Sequence, residues 1–203
     1  MMAVVKVKRN GVLHDTDLSG IVRVGGVSTP FGPVDPGVPN EFYFNPAVEP
    51  FDETDSTEPG TVITLGTVIR TNVAGTVRVG RWRFPDAMHP GATVDFVLYD
   101  NITESEVRRA TFVAPVLGEW NQVPIDPYPT VANQILIAAI CEKSPGGTLH
   151  YVFRGNYFDI EKTNGNLSGL ADVANGRFLT GDAFPTLSFN RASYYVDFGF
   201  RPN

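Results

Sequence analysis

The sequence predicts an all-β fold, an antiparallel β-sandwich of jelly-roll-like form carrying an extended N-terminal arm. Three observations predict it. Large apolar and polar side chains alternate along several segments, most visibly in "SYYVDFGFRP" near the end of the chain, and a period of two marks a half-buried strand. The 203 residues include 20 Gly and 16 Pro, more than helices tolerate, while Val, Thr, Phe and Tyr are abundant, which favours short strands joined by turns. A hydrophobic content of 42% suffices for the core of one good-sized domain with an appendage.

Residues 1–40 form the expected attachment arm. "VKRNGV" (7–12) and "VRVGGV" (22–27) share a valine, a basic residue and an X-Gly-Val turn. Val7 and Val22 open the two copies, and Asn10-Gly11 and Gly25-Gly26 suit the positive φ of two-residue hairpin turns. The repeat predicts two small β-ribbons; coincidence in a Val/Gly-rich stretch is the competing reading. "TPFGPVDPGVPN" then sets Pro30, Pro33, Pro36 and Pro39 at intervals of three, the repeat of polyproline II. Ten such residues reach roughly 30 Å as a semi-rigid spacer, and a turn-rich connector is the alternative.

Residues 41–203 form the expected sandwich. The acidic run "EPFDETDSTEP" (49–59) reads as a solvated loop, with Asp52, Glu53, Asp55 and Glu58 as oxygen groups of the kind Ca²⁺ prefers, at spacings unlike an EF-hand. Strands are expected at 61–71, 75–84, 92–99, 106–113, 119–125, 134–142, 148–153 and 192–201. In "TVRVGRWRF" the inward parity of Val77 and Val79 passes to Trp82 and Phe84 across Gly80, as at a β-bulge, leaving Arg78, Arg81 and Arg83 outward. "TESEVRRATF" has capping-box spacing at Thr103 and Glu106, and "TVANQILIAAIC" suits a buried helix or a central strand; strands are favoured for both. "GLADVANG" (169–176) is the candidate helical turn. In the last strand Tyr194, Val196, Phe198 and Phe200 share the core face, and Tyr195, Asp197, Gly199 and Arg201 share an open one.

Charge and motif content exclude several function classes. A formal net charge of -6 argues against a nucleic-acid surface, which shows as a basic excess. "MMAVVKVKRNG" has too few apolar residues before its first charges for a secretory signal, and no stretch approaches a membrane span, so synthesis without a cleavable leader and no membrane insertion are expected. Cys141, in an apolar run, is expected to be a buried inert thiol. His14, His89 and His150 lack metal-ligand spacing, and no nucleophile elbow or phosphate loop occurs. A glycosidase needs two facing carboxylates; Glu104, Glu106, Glu119, Asp159 and Glu161 could be nominated, but 22 acids supply such candidates by chance. No enzymatic activity, cofactor or metal is expected.

Aromatic side chains offer the remaining chemistry, since sugar rings stack on exposed aromatics. Trp82 and Trp120 are weighed as core residues. Tyr128, between prolines in "DPYPT", and Tyr195, on the outer face of the last strand, are expected to be exposed. Tyr128, Tyr195 and Trp120 are therefore the candidate glycan or protein contacts.

"FPTLSFNRASYYVDFGF" (184–200) resembles the closing signature of a bacterial domain-of-unknown-function family, whose members end in Phe-Pro-Thr and then a Tyr/Trp-Val-Asp-x-x-Phe strand. "TVITLGTVIRTNVAGTVRVGRWRF", "GEWNQV" and "YFDIEKTNGNLSGL" resemble its first strand pair, its Gly-Trp-Gln-x-Val strand and its Tyr-Phe…Gly-x-Leu loop. Glu119 stands where Gly is frequent, and Tyr195 where Trp is. The resemblance covers about 42–202 and implies a β-sandwich module of the kind appended to secreted glycosidases and surface proteins, with no established activity. The "VKRNGV…VRVGGV" arm resembles N-terminal pieces of minor tail proteins from phages of Actinobacteria. A virion protein is released by lysis and needs no export signal. Together these features predict a structural virion protein of a bacteriophage, a minor tail or decoration subunit made in the host cytoplasm. Its expected partners are other virion proteins, joined through arm edge strands in a symmetric homo-oligomer, with a trimer as the expected state. The alternative is a carbohydrate-binding module that recognises glycans of a bacterial envelope.

Overall fold

The alternating segments form seventeen strands among the described residues, with no helix. The computed structural model describes residues 40–45, 56–171 and 174–203 in full, and 4–9, 12–17, 21–24, 27–30 and 54–55 by their backbone. The chain divides into two compact units, Met1–Pro39 and Asn40–Asn203.

In the first unit, β1 (Val4–Arg9) pairs antiparallel with β2 (Val12–Asp17), and β3 (Ile21–Val24) with β4 (Val27–Pro30). Arg9 faces Val12 and Val24 faces Val27, so two residues separate the strands of each ribbon, as the Asn-Gly and Gly-Gly dipeptides predict. Those dipeptides, and the spacer prolines Pro33, Pro36 and Pro39, lie outside the described residues.

The second unit is a β-sandwich. Its larger sheet runs β13 (Lys162–Asn164), β14 (Leu167–Gly169), β6 (Val62–Thr71), β11 (Gln134–Lys143), β8 (Thr93–Asp100), β9 (Ser105–Thr111), with β15 (Arg177–Thr180) also on β6 and β16 (Leu187–Ser188) on β15. The smaller sheet is β10 (Trp120–Thr130), β7 (Gly75–Arg83) and β17 (Val196–Pro202). A ribbon of β5 (Thr54–Pro59) and β12 (Thr148–Phe153) completes it. Both segments with competing helical readings, within 103–112 and 130–141, are strands. β11 has ladder partners on both sides, β6 and β8, and β9 has one, β8, which no local propensity reveals.

Inward-facing residues of both sheets make the core, among them Trp82, Phe84, Phe96, Leu136, Ile140, Phe198 and Phe200, all fully buried. The sheets approach closely at Gly80, where an added Cβ would lie 2.1 Å from the Phe96 ring. The parity shift in β7 is present, but the extra residue falls between Val77 and Val79, opposite Gly199 and Phe200, so Val79 is only half-buried.

Several expectations are corrected. The acidic run is not loop throughout, because 54–59 pairs with β12. The candidate helical turn ends β14 instead: Leu167–Gly169 is a strand, the described remainder of 170–176 is irregular, and 172–173 lie outside the described residues. The last strand begins at Val196, not 192, because Tyr195 takes a left-handed φ of 51° that interrupts the ladder.

The outer face of the larger sheet is also covered. Val68, Val97, Tyr99, Ile137, Ala139 and Cys141 pack there against Leu170 and Phe184. β14 reaches Ile69 and β15 starts at Gly66, which leaves Val68 between them without a strand partner on that edge of β6. The fully buried Asn175 fills the gap: Val68 N–H donates to its Oδ1 (2.9 Å) and its Nδ2 donates to the Val68 carbonyl (3.1 Å). One side-chain amide thus replaces one residue of strand.

Candidate functional site

The face of the smaller sheet predicted to be open is closed by residues 40–45. Glu41 bridges to Phe200 with hydrogen bonds of 2.7 and 2.8 Å, which lays Phe42, Tyr43 and Phe44 over β17 and β7. Beneath them Arg81 and Asp197 form a buried ion pair, with Nε to Oδ1 at 2.8 Å and a terminal nitrogen to Oδ2 at 2.6 Å. The Phe44 N–H donates to Asp197 (2.9 Å), and Arg81 donates to the Phe44 carbonyl. The guanidinium lies 4.1 Å from the Phe42 ring centre and 4.3 Å from that of Trp120. Burial raises the Asp197 carboxyl's pKa, and the Arg81 charge and the Phe44 N–H oppose it. Arg81, Asp197 and Tyr195 are thus corrected from outward groups to buried ones, because the cover comes from a segment remote in sequence, with Phe44 37 residues from Arg81 and 153 from Asp197, that alternation does not register.

The three aromatic candidates do not form one platform. Tyr195 is 1% exposed, packed against Phe44, Tyr157 and Trp120 with ring centres 5.3, 6.1 and 6.3 Å away. Trp120 is half-buried beside it, with Arg81 over its ring. Tyr128 stands elsewhere, half-buried at the irregular end of β10, with Arg108 5.3 Å from its ring centre and its hydroxyl accepting from Gln134 (3.3 Å).

The nominated carboxylates are dispersed. Glu161 pairs with Arg70 (2.5 Å), Asp159 with Arg191 (3.0 Å) and Glu106 with Arg109 (2.7 Å), while Glu104 and Glu119 are exposed. Arg109 also binds Asp95 (2.9 Å) and Asp182 (2.7 Å), and Lys143 bridges the same two acids at 3.0 Å each. This network ties the 181–184 turn to β8, β9 and β11. Burial would raise the Asp182 carboxyl, but hydrogen bonds from Arg109 and Lys143 outweigh it and hold it down at about 2. Cys141 is fully buried, and burial pushes its thiol up to about 11, which suits the expected inert thiol. Among the described residues no group of three His, Cys, Asp or Glu could hold a metal ion; Asp52 and Glu53 lie outside them.

Two features escaped sequence reasoning. Glu142, within the apolar run of β11, is fully buried on the core face and accepts the His150 N–H at 3.0 and 3.2 Å. Burial pushes its carboxyl up to about 7 against that hydrogen bond. The second is a pocket of about 190 Å³ between the β5–β12 ribbon and the β6–β15 margin, lined by Glu58, Ile63, Leu65, Tyr151, Phe178, Phe189 and Tyr194. Tyr151 and Tyr194 meet there edge to face, ring centres 5.9 Å apart at 76°, and the Tyr151 hydroxyl donates to Glu58 (3.3 Å). The wall residues are drawn from five separate places in the chain, so the only local signal was the aromatic pair in "LHYVF".

A family model for a domain of unknown function, DUF4082, matches residues 49–196. The chain belongs to the DUF4082 family. No curated protein and no solved structure gives a match. The matched part of this DUF4082 chain holds Arg81, Trp120, Tyr128, Tyr195 and every residue lining the pocket, whereas the Phe42–Phe44 cover and Asp197 fall just outside it. The arm residues also precede the DUF4082 match. Val7 lies in β1 facing His14 and Val22 in β3 facing Thr29, while Asn10, Gly11, Gly25 and Gly26 lie outside the described residues.

Proposed function

We propose that this chain is a structural subunit of a bacteriophage particle, a minor tail or decoration protein that attaches by its N-terminal arm and displays the DUF4082 sandwich. The observation that carries the reading is the arm itself, a separate unit whose described residues form two ribbons of two strands each. Every strand of such a ribbon has one edge without a ladder partner inside it, and an unpaired edge is a template for a strand from another chain. Val7 and Val22 sit within those strands. The proposal includes a symmetric homo-oligomer built by identical arms around one axis, with a trimer as the proposed state. Removal of residues 1–39 is expected to abolish incorporation into particles while the thermal transition of the sandwich persists. Normal incorporation of the truncated chain would refute attachment through the arm.

A second reading, recognition of bacterial envelope glycans, is favoured by the half-exposed Tyr128 ring flanked by Arg108 and Gln134, an apolar face beside polar groups. Tyr128→Ala is then expected to remove retention of the protein on envelope polysaccharide, and unchanged retention counts against it.

A further inference from the structure

We propose that the pocket between the β5–β12 ribbon and the β6–β15 margin binds a methylated ammonium group, held by aromatic faces and the Glu58 carboxylate. Four of its seven lining residues carry aromatic rings, Tyr151, Phe178, Phe189 and Tyr194, and Glu58 is the single charged one. Ring faces carry negative potential and attract a cation placed over them, most strongly where water is displaced. The edge-to-face arrangement of Tyr151 and Tyr194 presents two aromatic surfaces nearly at right angles, as the corner of a cage does. Phe189 is 52% exposed, so the pocket opens to solvent.

The lining also discriminates among ligand classes. An anion is repelled by Glu58. A purely apolar ligand would displace water from that carboxylate and return nothing. A sugar needs several polar partners arranged around its ring, and here there are one carboxylate and two phenol hydroxyls. A quaternary ammonium has no N–H donor to satisfy and presents methyl groups to Ile63 and Leu65, apolar surface that a primary ammonium cannot use. Volume agrees: about 190 Å³ lies below the roughly 300–1,000 Å³ of pockets for drug-sized ligands and suits one small head group.

The test titrates the full-length protein with choline and with 3,3-dimethylbutan-1-ol, its uncharged isostere, and follows the aromatic resonances of Tyr151 and Phe189. Saturable choline binding, with the isostere about tenfold weaker or more, is expected. Glu58→Gln and Phe189→Leu should each weaken choline about tenfold or more without moving the thermal midpoint, since both side chains are partly exposed. Phosphatidylcholine vesicles form a second arm. Cosedimentation that free choline competes away assigns the group to a lipid head group, and choline binding without cosedimentation assigns it to a free solute. Equal binding of choline and its isostere, an unchanged choline affinity in Glu58→Gln, or no binding of choline overturns the proposal.

Discussion

Replacing Asp197 by alanine leaves the Arg81 guanidinium buried between Phe42 and Trp120 without a counter-charge, which is expected to cost about 3–5 kcal/mol in denaturant unfolding. Removing both charges, as in Arg81→Met with Asp197→Leu, should recover part of that loss. The remainder stays because the Phe44 N–H and carbonyl lose their partners together. A wild-type midpoint for Asp197→Ala would show that the pair is solvated. Glu142 makes the opposite kind of residue, a buried carboxyl with no cation. Its folded pKa near 7 exceeds the ordinary 4.5, so the native state binds the proton more tightly than the unfolded chain. Stability is therefore highest below about pH 4.5 from this group, declines as pH rises to 7, and levels off above. Glu142→Gln should flatten that decline and gain on the order of 3 kcal/mol at pH 8, with the two proteins converging near pH 4.5. Parallel stability curves would exclude a neutral Glu142.

At the scale of elements, the edge of β6 is shared by β14, one asparagine and β15. Asn175→Ala should leave the Val68 N–H and carbonyl buried and unpaired, at about 2–4 kcal/mol. Asn175→Asp keeps the acceptor for the N–H, loses the donor, and adds a buried charge, so it should be at least as harmful. Native-state hydrogen exchange gives the local readout: the Val68 amide should lose protection relative to Leu65 and Ile69, and retained protection would mean that another group fills the gap. The long strands β6, β7, β8, β11 and β12 were legible in the sequence to within a residue at each end, because alternation and Gly/Pro punctuation are local. β13, β14, β15 and β16 were not. They are two to four residues long, too short for a period to show, and exist because β6 offers an edge to pair with.

On the scale of the whole molecule, the arm and the sandwich are separate compact units, and each has its own expected readout. Calorimetry of the chain lacking residues 1–39 should show the main transition within about 2 °C of the full chain, a shift that corresponds to at most about 1 kcal/mol for a domain of this size. A larger fall would mean that the arm stabilises the sandwich it was expected only to tether. The sites sort in the same way. The strand pairs of the arm were legible as a repeat, whereas the pocket was not, because Glu58, Tyr151, Phe178, Phe189 and Tyr194 converge only through strand pairing.

The sequence by itself determined the all-β class, most of the long strands, the pairing of the strands in the two arm ribbons and the core identity of Trp82, Phe198 and Phe200, because each depends on spacing within a few neighbouring residues. Only the tertiary structure decided what lies over each sheet face. A period of two distinguishes the two sides of a strand without saying which is wet. Phe42–Phe44 cover one outer face and Leu170 and Phe184 the other, so Arg81, Tyr195 and Asp197 are interior although their strands mark them as outward.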